Sequence, residues 1–337
     1  MKRFMTALCI SGALIAGPAM AWGDQGHRAI GAIAAQLLAG TNAEKRIAAL
    51  LLPGEDLEFT TIWADCAKGS FCGPQTDEMK AFTAANPMHN EYHYTNTPVQ
   101  RSAYVPGGVG TSPHDIVQML QQSIAVLQGR TDAQSNPHKL TPRQALLLLA
   151  HLATDIHQPL HVGSLYLDKN NRIIEPRTQA EVDGVNVFNM LGNNRLLFSD
   201  PAYDRRSYPD QPVAPQNLHF FWDITTVEQA FKRTGVKSAK EFATVVTARK
   251  RDVEGPTGDP LTWPQQWAAE SLLMAKLAHQ GVQPGAPKSN VDRRGGTYLT
   301  WPFTVPANYV ETSTATVTAQ LVRGGYHFAA LLQKIWP

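Results

Sequence analysis

The feature that most constrains the fold of this chain is a run of ionisable residues at the end of an apolar helix. Thr141, Pro142 and Gln144 have the pattern of a helix start, with a threonine cap, a proline in the first turn and a glutamine that completes a capping box. Residues 145–150 are all alanine or leucine, so we expect this helix in the protein core. Pro159 predicts its end.

His151, Asp155, His157 and His161 fall in the last turns of this helix or just beyond it. His151 and Asp155 are four residues apart and therefore lie on one helix face. An unpaired polar group in a core is costly, so a buried helix ends in this way only if something compensates the charges. Zn²⁺ would do so, because imidazole and carboxylate are among its usual ligands. The alternative is that these are ordinary core or surface histidines.

The overall composition is that of a globular protein with little net charge. The chain has 337 residues, of which 43% are hydrophobic and 17% charged, and its formal net charge is +2. No low-complexity linker divides it, so one large domain is as compatible with its length as two. The near-neutral balance excludes nucleic-acid binding by net charge alone, so positive charge for a phosphate must come from a source other than lysines.

The first twenty-one residues have the pattern of an export signal. Residues 1–21 combine a positively charged start, a short apolar stretch and a small-residue cleavage pattern. Its removal would make Trp22 the new N-terminus, whose amine and carbonyl could together chelate a metal. We therefore expect a periplasmic or extracellular protein. No other segment reaches the length of about 18 apolar residues needed to span a bilayer, so no stable membrane association is expected.

Cleavage of the signal would remove Cys9 and leave Cys66 and Cys72. In an oxidising compartment these two residues are expected to form a small disulfide loop. Such a loop stabilises the fold by roughly 2 kcal/mol. The alternative, that both are thiolate ligands of zinc, lacks a second cysteine pair.

The rest of the pattern predicts a mainly α-helical protein with long irregular connections. Residues 162–217 read as a loop region with one short hairpin, in which residues 185–190 pair with residues 195–198. Loops this long in a compact domain are usually functional. Further helices are predicted to begin at Thr41, Ser112, Ser238, Trp263 and about Ser313.

Five short motifs follow one another along the chain. They are Trp22 with His27 five residues on, Trp63-Ala64-Asp65, His93 to Pro98, His151 to His161, and Asn217 to Asp223. Together they resemble the motifs of the zinc-dependent single-strand-specific nucleases. This family includes fungal, plant and bacterial extracellular enzymes and is related in fold to the zinc phospholipases C. The resemblance implies one compact helical domain over residues 22–337, of the zinc phospholipase C/nuclease type, with three zinc ions in a cleft.

The resemblance also implies which residues hold the three zinc ions. The charge of the ions exceeds that of the three aspartates, and this excess would supply the positive field for phosphate that the composition lacks. The implied ligands are Asp65, His93, His151 and Asp155 at the first zinc; the amine and carbonyl of Trp22, His27 and the bridging Asp155 at the second; and His161, His219 and Asp223 at the third.

The activity implied is endonucleolytic cleavage of single-stranded DNA and RNA to 5′-phosphorylated products, together with 3′-nucleotidase activity. A metal-bridged hydroxide held at Asp65 and Asp155 would attack phosphorus. Lys68 would neutralise charge in the transition state, unless it is a solvated surface lysine. The family's Gly-Gly-Asn motif is matched only by Gly-Val-Asn ending at Asn186, after an insertion of residues 163–182. Asn186 would contact phosphate or hold Asp65.

The expected partners are single-stranded nucleic acid and nucleotides, bound by a monomer. Tyr94 would stack on an unpaired base and Asn96 would hydrogen-bond the base edge, unless Tyr94 is a packed aromatic beside a metal ligand. The main alternative is a zinc phospholipase C. In that family the N-terminal tryptophan and the first histidine are further apart in sequence than Trp22 and His27 are here. Its final ligand is a glutamate, where this chain has Asp223. A third possibility, a non-catalytic zinc protein, does not explain open metal positions.

Overall fold

The computed structural model describes residues 22–70, 72–206, 212–249, 253–291 and 295–337. The export signal predicted for residues 1–21 lies outside the described residues. The mainly α-helical class predicted from the sequence is confirmed. The α-helices are α1 (Asp24–Leu38), α2 (Asn42–Ala48), α3 (Leu57–Thr60), α4 (Trp63–Cys66), α5 (Asp77–Ala85), α6 (Ile116–Leu127), α7 (Pro142–Asp155), α8 (Leu218–Phe220), α9 (Thr226–Thr234), α10 (Ala239–Thr247), α11 (Trp263–Ala278) and α12 (Tyr309–Ile335).

Shorter helical turns connect these elements at several points. A π-helical turn continues α8 and leads directly into α9, so the three form one irregular rod. The 3₁₀ turns are His89–Glu91, Pro159–His161, Gln179–Glu181, Pro201–Tyr203 and Pro260–Thr262, and the π-helical turn is Phe221–Thr225.

Helix α7 begins as the sequence predicts. The Thr141 hydroxyl accepts a hydrogen bond from the Gln144 N–H, and the Gln144 side chain accepts one from the Thr141 N–H, which completes the capping box. Every residue from 145 to 155 is buried. The helix ends at Asp155, and Pro159 then starts the 3₁₀ turn that carries His161. The ionisable residues of this segment therefore lie on two consecutive buried elements, the end of α7 and the 3₁₀ turn that follows it.

Helix α1 lies between the two halves of the hydrophobic core. Ala34 and Leu38 belong to the half built around α6 and α7, whereas Ile30 and Ile33 belong to the half built around Trp222 and Trp301. Helix α1 also packs closely on α12. The close approach depends on a glycine pair in α12, because a Cβ atom at either position would overlap an isoleucine of α1.

Short β-strands cover parts of the helical body. The strands are β1 (Thr97–Pro98), β2 (Gly163–Ser164), β3 (Tyr166–Asp168), β4 (Ile173–Ile174), β5 (Val187–Asn189), β6 (Leu196–Phe198), β7 (Asp204–Arg205), β8 (Ala214–Pro215), β9 (Gln283–Pro284), β10 (Lys288–Val291) and β11 (Thr297–Thr304). Strand β1 pairs with β2 in parallel, β3 pairs with β4 and β5 in antiparallel, and β7 pairs with β8 in antiparallel. Strand β11 pairs with β9, β10 and β6.

The hairpin predicted between residues 185–190 and 195–198 is wrong. The intervening residues do make a tight turn, closed by the Arg195 N–H and the Met190 carbonyl at 3.3 Å. The strands on either side then leave for different partners, since β5 pairs with β3 of the insertion and β6 pairs in parallel with β11. Alternation of apolar residues predicts a strand but does not specify its partner.

The predicted helix starts are mostly confirmed. Thr41 and Ser238 cap α2 and α10 through their hydroxyls, and α11 begins at Trp263. The helix predicted to start at Ser112 begins at Ile116 instead. The reason is that the Asp115 carboxylate accepts from two backbone N–H groups and caps α6. Helix α12 begins at Tyr309, one turn before the predicted Ser313.

Two further findings concern the chain as a whole. Cys66 and Cys72 form a disulfide, as the sequence predicts. No helix in the described ranges combines the length and the apolar character needed to cross a lipid bilayer.

Candidate metal centre

Eight of the predicted ligand side chains converge in the interior of the protein. We call this group the candidate centre. None of its members is more than 4% exposed. They come from α1, α4, the segment before β1, α7, the 3₁₀ turn after it, and the rod formed by α8 and its π-helical continuation. The members are His27, Asp65, His93, His151, Asp155, His161, His219 and Asp223.

The first group of side chains surrounds one carboxylate oxygen of Asp155. Oδ2 of Asp155 lies 3.0 Å from Nε2 of His151 and 3.1 Å from Nδ1 of His93. Oδ1 of Asp65 lies 3.6 Å from the same His151 nitrogen and 3.7 Å from the same His93 nitrogen. Zinc–ligand bonds of about 2.0–2.2 Å place two ligands of one ion about 3–4 Å apart. These four distances fit the spacing around such an ion, and the ligand atoms of Asp65, His93 and His151 all lie within 4.8 Å of one another.

His27 lies on the other side of Asp155. Its Nε2 is 3.4 Å from Oδ1 of Asp155 and 3.8 Å from Oδ2 of Asp65. Its ring stacks on that of His151 with 4.2 Å between centroids. The two oxygens of Asp155 therefore face two different groups of ligands, as a bridging carboxylate must.

The third group lies at the end of the 3₁₀ turn and on the rod that begins with α8. Nε2 of His219 is 3.3 Å from Oδ2 of Asp223, and the His161 and His219 rings are 4.7 Å apart. Among the described residues, Nε2 of His161 and Nε2 of His219 have no hydrogen-bond partner, and neither has Oδ1 of Asp155. Buried polar atoms are rarely left in this state, and bound metal ions would satisfy all three.

Backbone carbonyls hold the outer nitrogen of three imidazole rings. Each ring donates its Nδ1–H to a carbonyl at 2.7 Å, which leaves the lone pair on the inward Nε2. This is the tautomer that a metal requires. The donor–acceptor pairs are His151 with Thr61, His161 with His93, and His219 with Gly192.

The charges of the candidate centre are unfavourable without a cation. Burial raises the pKa of Asp155 to about 6 and raises the pKa of Asp223 well above its ordinary range. Burial also lowers the pKa of His161 well below its ordinary range, and the pKa of His219 to about 4. Burial thus disfavours the charged form of both carboxylates, and at neutral pH His161 and His219 offer neutral lone pairs. Metal cations would compensate both.

Lys68 lies at the edge of the candidate centre rather than in solvent. Its ammonium donates to Oδ1 of Asp65 at 2.7 Å, and its side chain is only 12% exposed. Tyr94 follows His93 directly and is 38% exposed, so its ring remains open to a ligand.

Two other predicted residues lie elsewhere or are already engaged. Asn186 is exposed, and its amide donates to Oδ2 of Asp183 at 2.7 Å within one turn of the insertion. The structure therefore does not bring Asn186 to Asp65. Asn96 is buried, and its side-chain oxygen accepts from the Gly192 N–H at 2.8 Å. That oxygen positions a loop instead of facing a base.

Trp22 lies against the candidate centre at the beginning of the described chain. Its ring is fully buried, and its indole N–H donates to the Thr154 carbonyl at 2.8 Å. The next residue, Gly23, donates its N–H to the Asp223 carbonyl at 2.9 Å. Both contacts fix Trp22 and Gly23 beside residues that flank or belong to the centre.

Sequence reasoning missed three residues that support the ligands. Gln158 donates to Oδ1 of Asp223 at 2.6 Å, and the Thr154 hydroxyl contacts Nδ1 of His27. Gly192 contributes only its backbone, which contacts His219. Gln158 and Thr154 lie inside the histidine-rich motif, so their position in it was the available signal. Nothing in the sequence identifies a supporting carbonyl such as that of Gly192.

The fold and the candidate centre together define a helical protein with a site built for metal ions. The sequence model of the S1/P1 nuclease family matches residues 22–337, and the chain belongs to this family. The protein is therefore a nuclease, a hydrolase that acts on nucleic acids. The match confirms the predicted family and decides against a phospholipase C.

Three plant proteins show the same relationship over nearly their whole length. Endonuclease 5 of Arabidopsis thaliana is 22% identical, and the alignment covers 100% of this chain and 97% of that protein. Endonuclease 1 is 23% identical, with 94% and 87% covered, and Endonuclease 2 is 24% identical, with 94% and 90% covered. Both are also from Arabidopsis thaliana. At this level of identity each surface residue must be judged on its own contacts.

Proposed function

We propose that this protein is a zinc-dependent endonuclease that cleaves single-stranded DNA and RNA and holds three zinc ions. The observation that carries the proposal is the presence of three groups of buried ligand atoms. Within each group the atoms lie no more than 4.8 Å from one another. The groups are His27, His151 and Asp155; Asp65, His93 and His151; and His161, His219 and Asp223.

The donor set favours zinc over harder cations. Imidazole nitrogens outnumber carboxylates, whereas Mg²⁺ and Ca²⁺ prefer sites made of oxygen. We infer that Asp155 would bridge two of the ions, since its Oδ1 faces His27 and its Oδ2 faces His93. When bound, the zinc ions would supply positive charge for a phosphate and would lower the pKa of a water molecule for attack at phosphorus.

Two residues of this chain would act on the substrate beside the metals. The Lys68 ammonium lies next to Asp65 and would donate to a phosphate oxygen as negative charge develops on it. The Tyr94 ring would stack on a base, and stacking does not depend on base identity. A base inside a duplex cannot offer its face to this ring, so the arrangement supports a preference for unpaired strands. Cleavage on the 3′-oxygen side of phosphorus would leave 5′-phosphorylated products and would extend to 3′-nucleotides.

The N-terminus of the mature chain would also bind a zinc ion. Removal of residues 1–21 on export would give the mature domain 22–337, which we propose acts as a monomer in the periplasm or outside the cell. The new amine and carbonyl of Trp22 would then join His27 and Asp155 at one zinc. The indole bond to Thr154 supports this by fixing the position of Trp22.

The test uses the mature protein that begins at Trp22. Zinc is counted by atomic emission, and circular single-stranded DNA, RNA, duplex DNA and a phosphatidylcholine emulsion are digested in parallel. We expect three zinc ions per chain, cleavage of both single-stranded substrates and no lipid hydrolysis. A chelator should abolish activity and lower the melting temperature, because buried carboxylates then lose their cations. Full activity after complete removal of zinc would contradict the proposal.

A further inference from the structure

We propose that Arg195 binds a phosphate group of the nucleic-acid strand other than the one that is cleaved. The inference deepens the proposed function and rests on it. Arg195 closes a turn that contacts the candidate centre, and among the described residues its charge has no carboxylate partner.

Arg195 stands at the base of a turn whose tip touches the candidate centre. Its backbone N–H donates to the Met190 carbonyl at 3.3 Å and closes the turn. At the tip, the Gly192 carbonyl accepts from Nδ1 of His219, and the Gly192 N–H donates to Asn96. A short and well-anchored piece of backbone thus joins Arg195 to the third group of ligands.

The charge of Arg195 is poorly compensated. Within the described ranges, its side chain makes one hydrogen bond, from Nη1 to the Asn189 carbonyl at 3.3 Å, and no ion pair. Burial lowers the pKa of Arg195, which shows that its surroundings disfavour the charge. By contrast, the partly buried Arg143 is held by the carboxylates of Glu55 and Glu78. An arginine that is partly desolvated and has no such partner is suited to bind an anionic group of a ligand.

The chemistry of the guanidinium and its neighbours identifies the anion. A planar fork of N–H donors matches the oxygens of a phosphate. The backbone N–H of Trp301 donates to the Arg195 carbonyl at 2.8 Å, so β11 fixes the backbone from which the Arg195 side chain extends. The neighbouring phosphate of the same strand is the anion that this nuclease would always meet.

The experiment compares substrates of different length with the zinc-loaded enzyme. Arg195→Gln removes the charge, Arg195→Lys retains it without the fork, and Arg130→Gln is the matched control, since Arg130 is paired with Asp259. KM and kcat are measured on the thymidine dinucleotide, which has one phosphodiester, and on a series of longer oligothymidylates. Melting temperatures check that each variant is folded.

We expect Arg195→Gln to raise KM on longer substrates by about ten-fold or more, the effect of losing a charged hydrogen bond. On the dinucleotide its KM and kcat should equal those of the wild type. Arg195→Lys should give an intermediate KM, and Arg130→Gln should change nothing. The salt dependence of KM on long substrates should also fall, by a slope of about one.

Two results would overturn the inference. One is an Arg195→Gln variant with unchanged KM at every length, and the other is an equal loss on the dinucleotide, which indicates a structural role. Failure of the proposed function is recognised separately, because the wild type would then cleave none of the substrates. In that case, fluorescence anisotropy with a labelled oligothymidylate still measures whether Arg195→Gln weakens binding.

Discussion

Asp155 is the residue whose two carboxylate oxygens face different ligand side chains of the candidate centre. Its Oδ2 contacts His151 and His93, while its Oδ1 faces His27. It is completely buried, and burial raises its pKa to about 6. Burial destabilises the charged form of this carboxylate, and two bound cations would stabilise it. Lys68, by contrast, offers a single charged contact at the rim of the same group.

We predict that Asp155→Asn loses far more activity than Lys68→Ala. The first change weakens two metal sites at once, whereas the second removes one charge-stabilising donor, for which the typical loss in kcat is about 10²–10³-fold. The measurement is kcat on single-stranded DNA together with the zinc content of each variant. Equal rates at full zinc content would show that Asp155 is not the bridge.

A second prediction at the residue scale concerns the start of the mature chain. A chain that retains Met20 and Ala21 should bind closer to two zinc ions than three and should cleave single-stranded DNA poorly. The reason is that an amide nitrogen, unlike the amine of Trp22, has no available lone pair for a metal. Atomic emission on both forms measures the difference. If the longer form holds three zinc ions and is fully active, Trp22 is not a ligand.

At the scale of elements, the disulfide loop joins a ligand to a charged residue. Helix α4 carries Asp65 and ends at Cys66, and the bond to Cys72 closes a loop that contains Lys68. The backbone N–H of Lys68 also donates to the Asp65 carbonyl at 2.9 Å. The loop therefore restricts the position from which the Lys68 ammonium reaches Asp65.

We predict that Cys66→Ser with Cys72→Ser lowers the free energy of unfolding by about 2 kcal/mol, the value for a loop of this size. The activity should fall as well, because Lys68 would then be held less firmly, but the zinc content should stay the same. Urea unfolding, kcat and zinc counting test the three statements. Unchanged stability under oxidising conditions would speak against this role of the disulfide.

Some features of these elements could be predicted from the sequence, and others could not. Helix α7 was predictable with its cap because capping and apolar character are local properties of its residues. The ligand motifs could be recognised for the same reason. The strand that pairs with β6 was not predictable, since β11 is far from β6 in the sequence. The role of Gly192 was equally hidden, because it acts through a carbonyl that every residue possesses.

At the scale of the whole molecule, the protein buries histidines well beyond the candidate centre. His327 lies between Nε2 of His157 and the Glu254 carbonyl, each at 2.9 Å. His279 donates from Nδ1 to the Ala275 carbonyl at 2.6 Å. Burial lowers the pKa of His327 and of His279 to about 4. Both rings are therefore neutral in the folded protein at a pH where the unfolded chain already binds protons.

This difference predicts a loss of stability in mild acid. An unfolded histidine binds its proton near pH 6.5, so each of the two rings contributes stability that is fully present above about pH 6.5. That stability is lost as the pH falls toward 4, by about 1.4 kcal/mol per pH unit for each ring. His279→Gln removes the contribution of one ring. Between pH 7 and pH 5 the variant should therefore lose about 2 kcal/mol less than the wild type.

Urea unfolding of the zinc-loaded proteins at both pH values gives the two differences. Any effect of His279→Gln that does not depend on pH cancels, because only the change between the two pH values is compared. The ligand histidines contribute equally to both proteins and cancel in the same way. If the two proteins lose the same free energy of unfolding, the proton equilibrium of His279 is not linked to folding. The acid sensitivity of the molecule would then have to arise elsewhere.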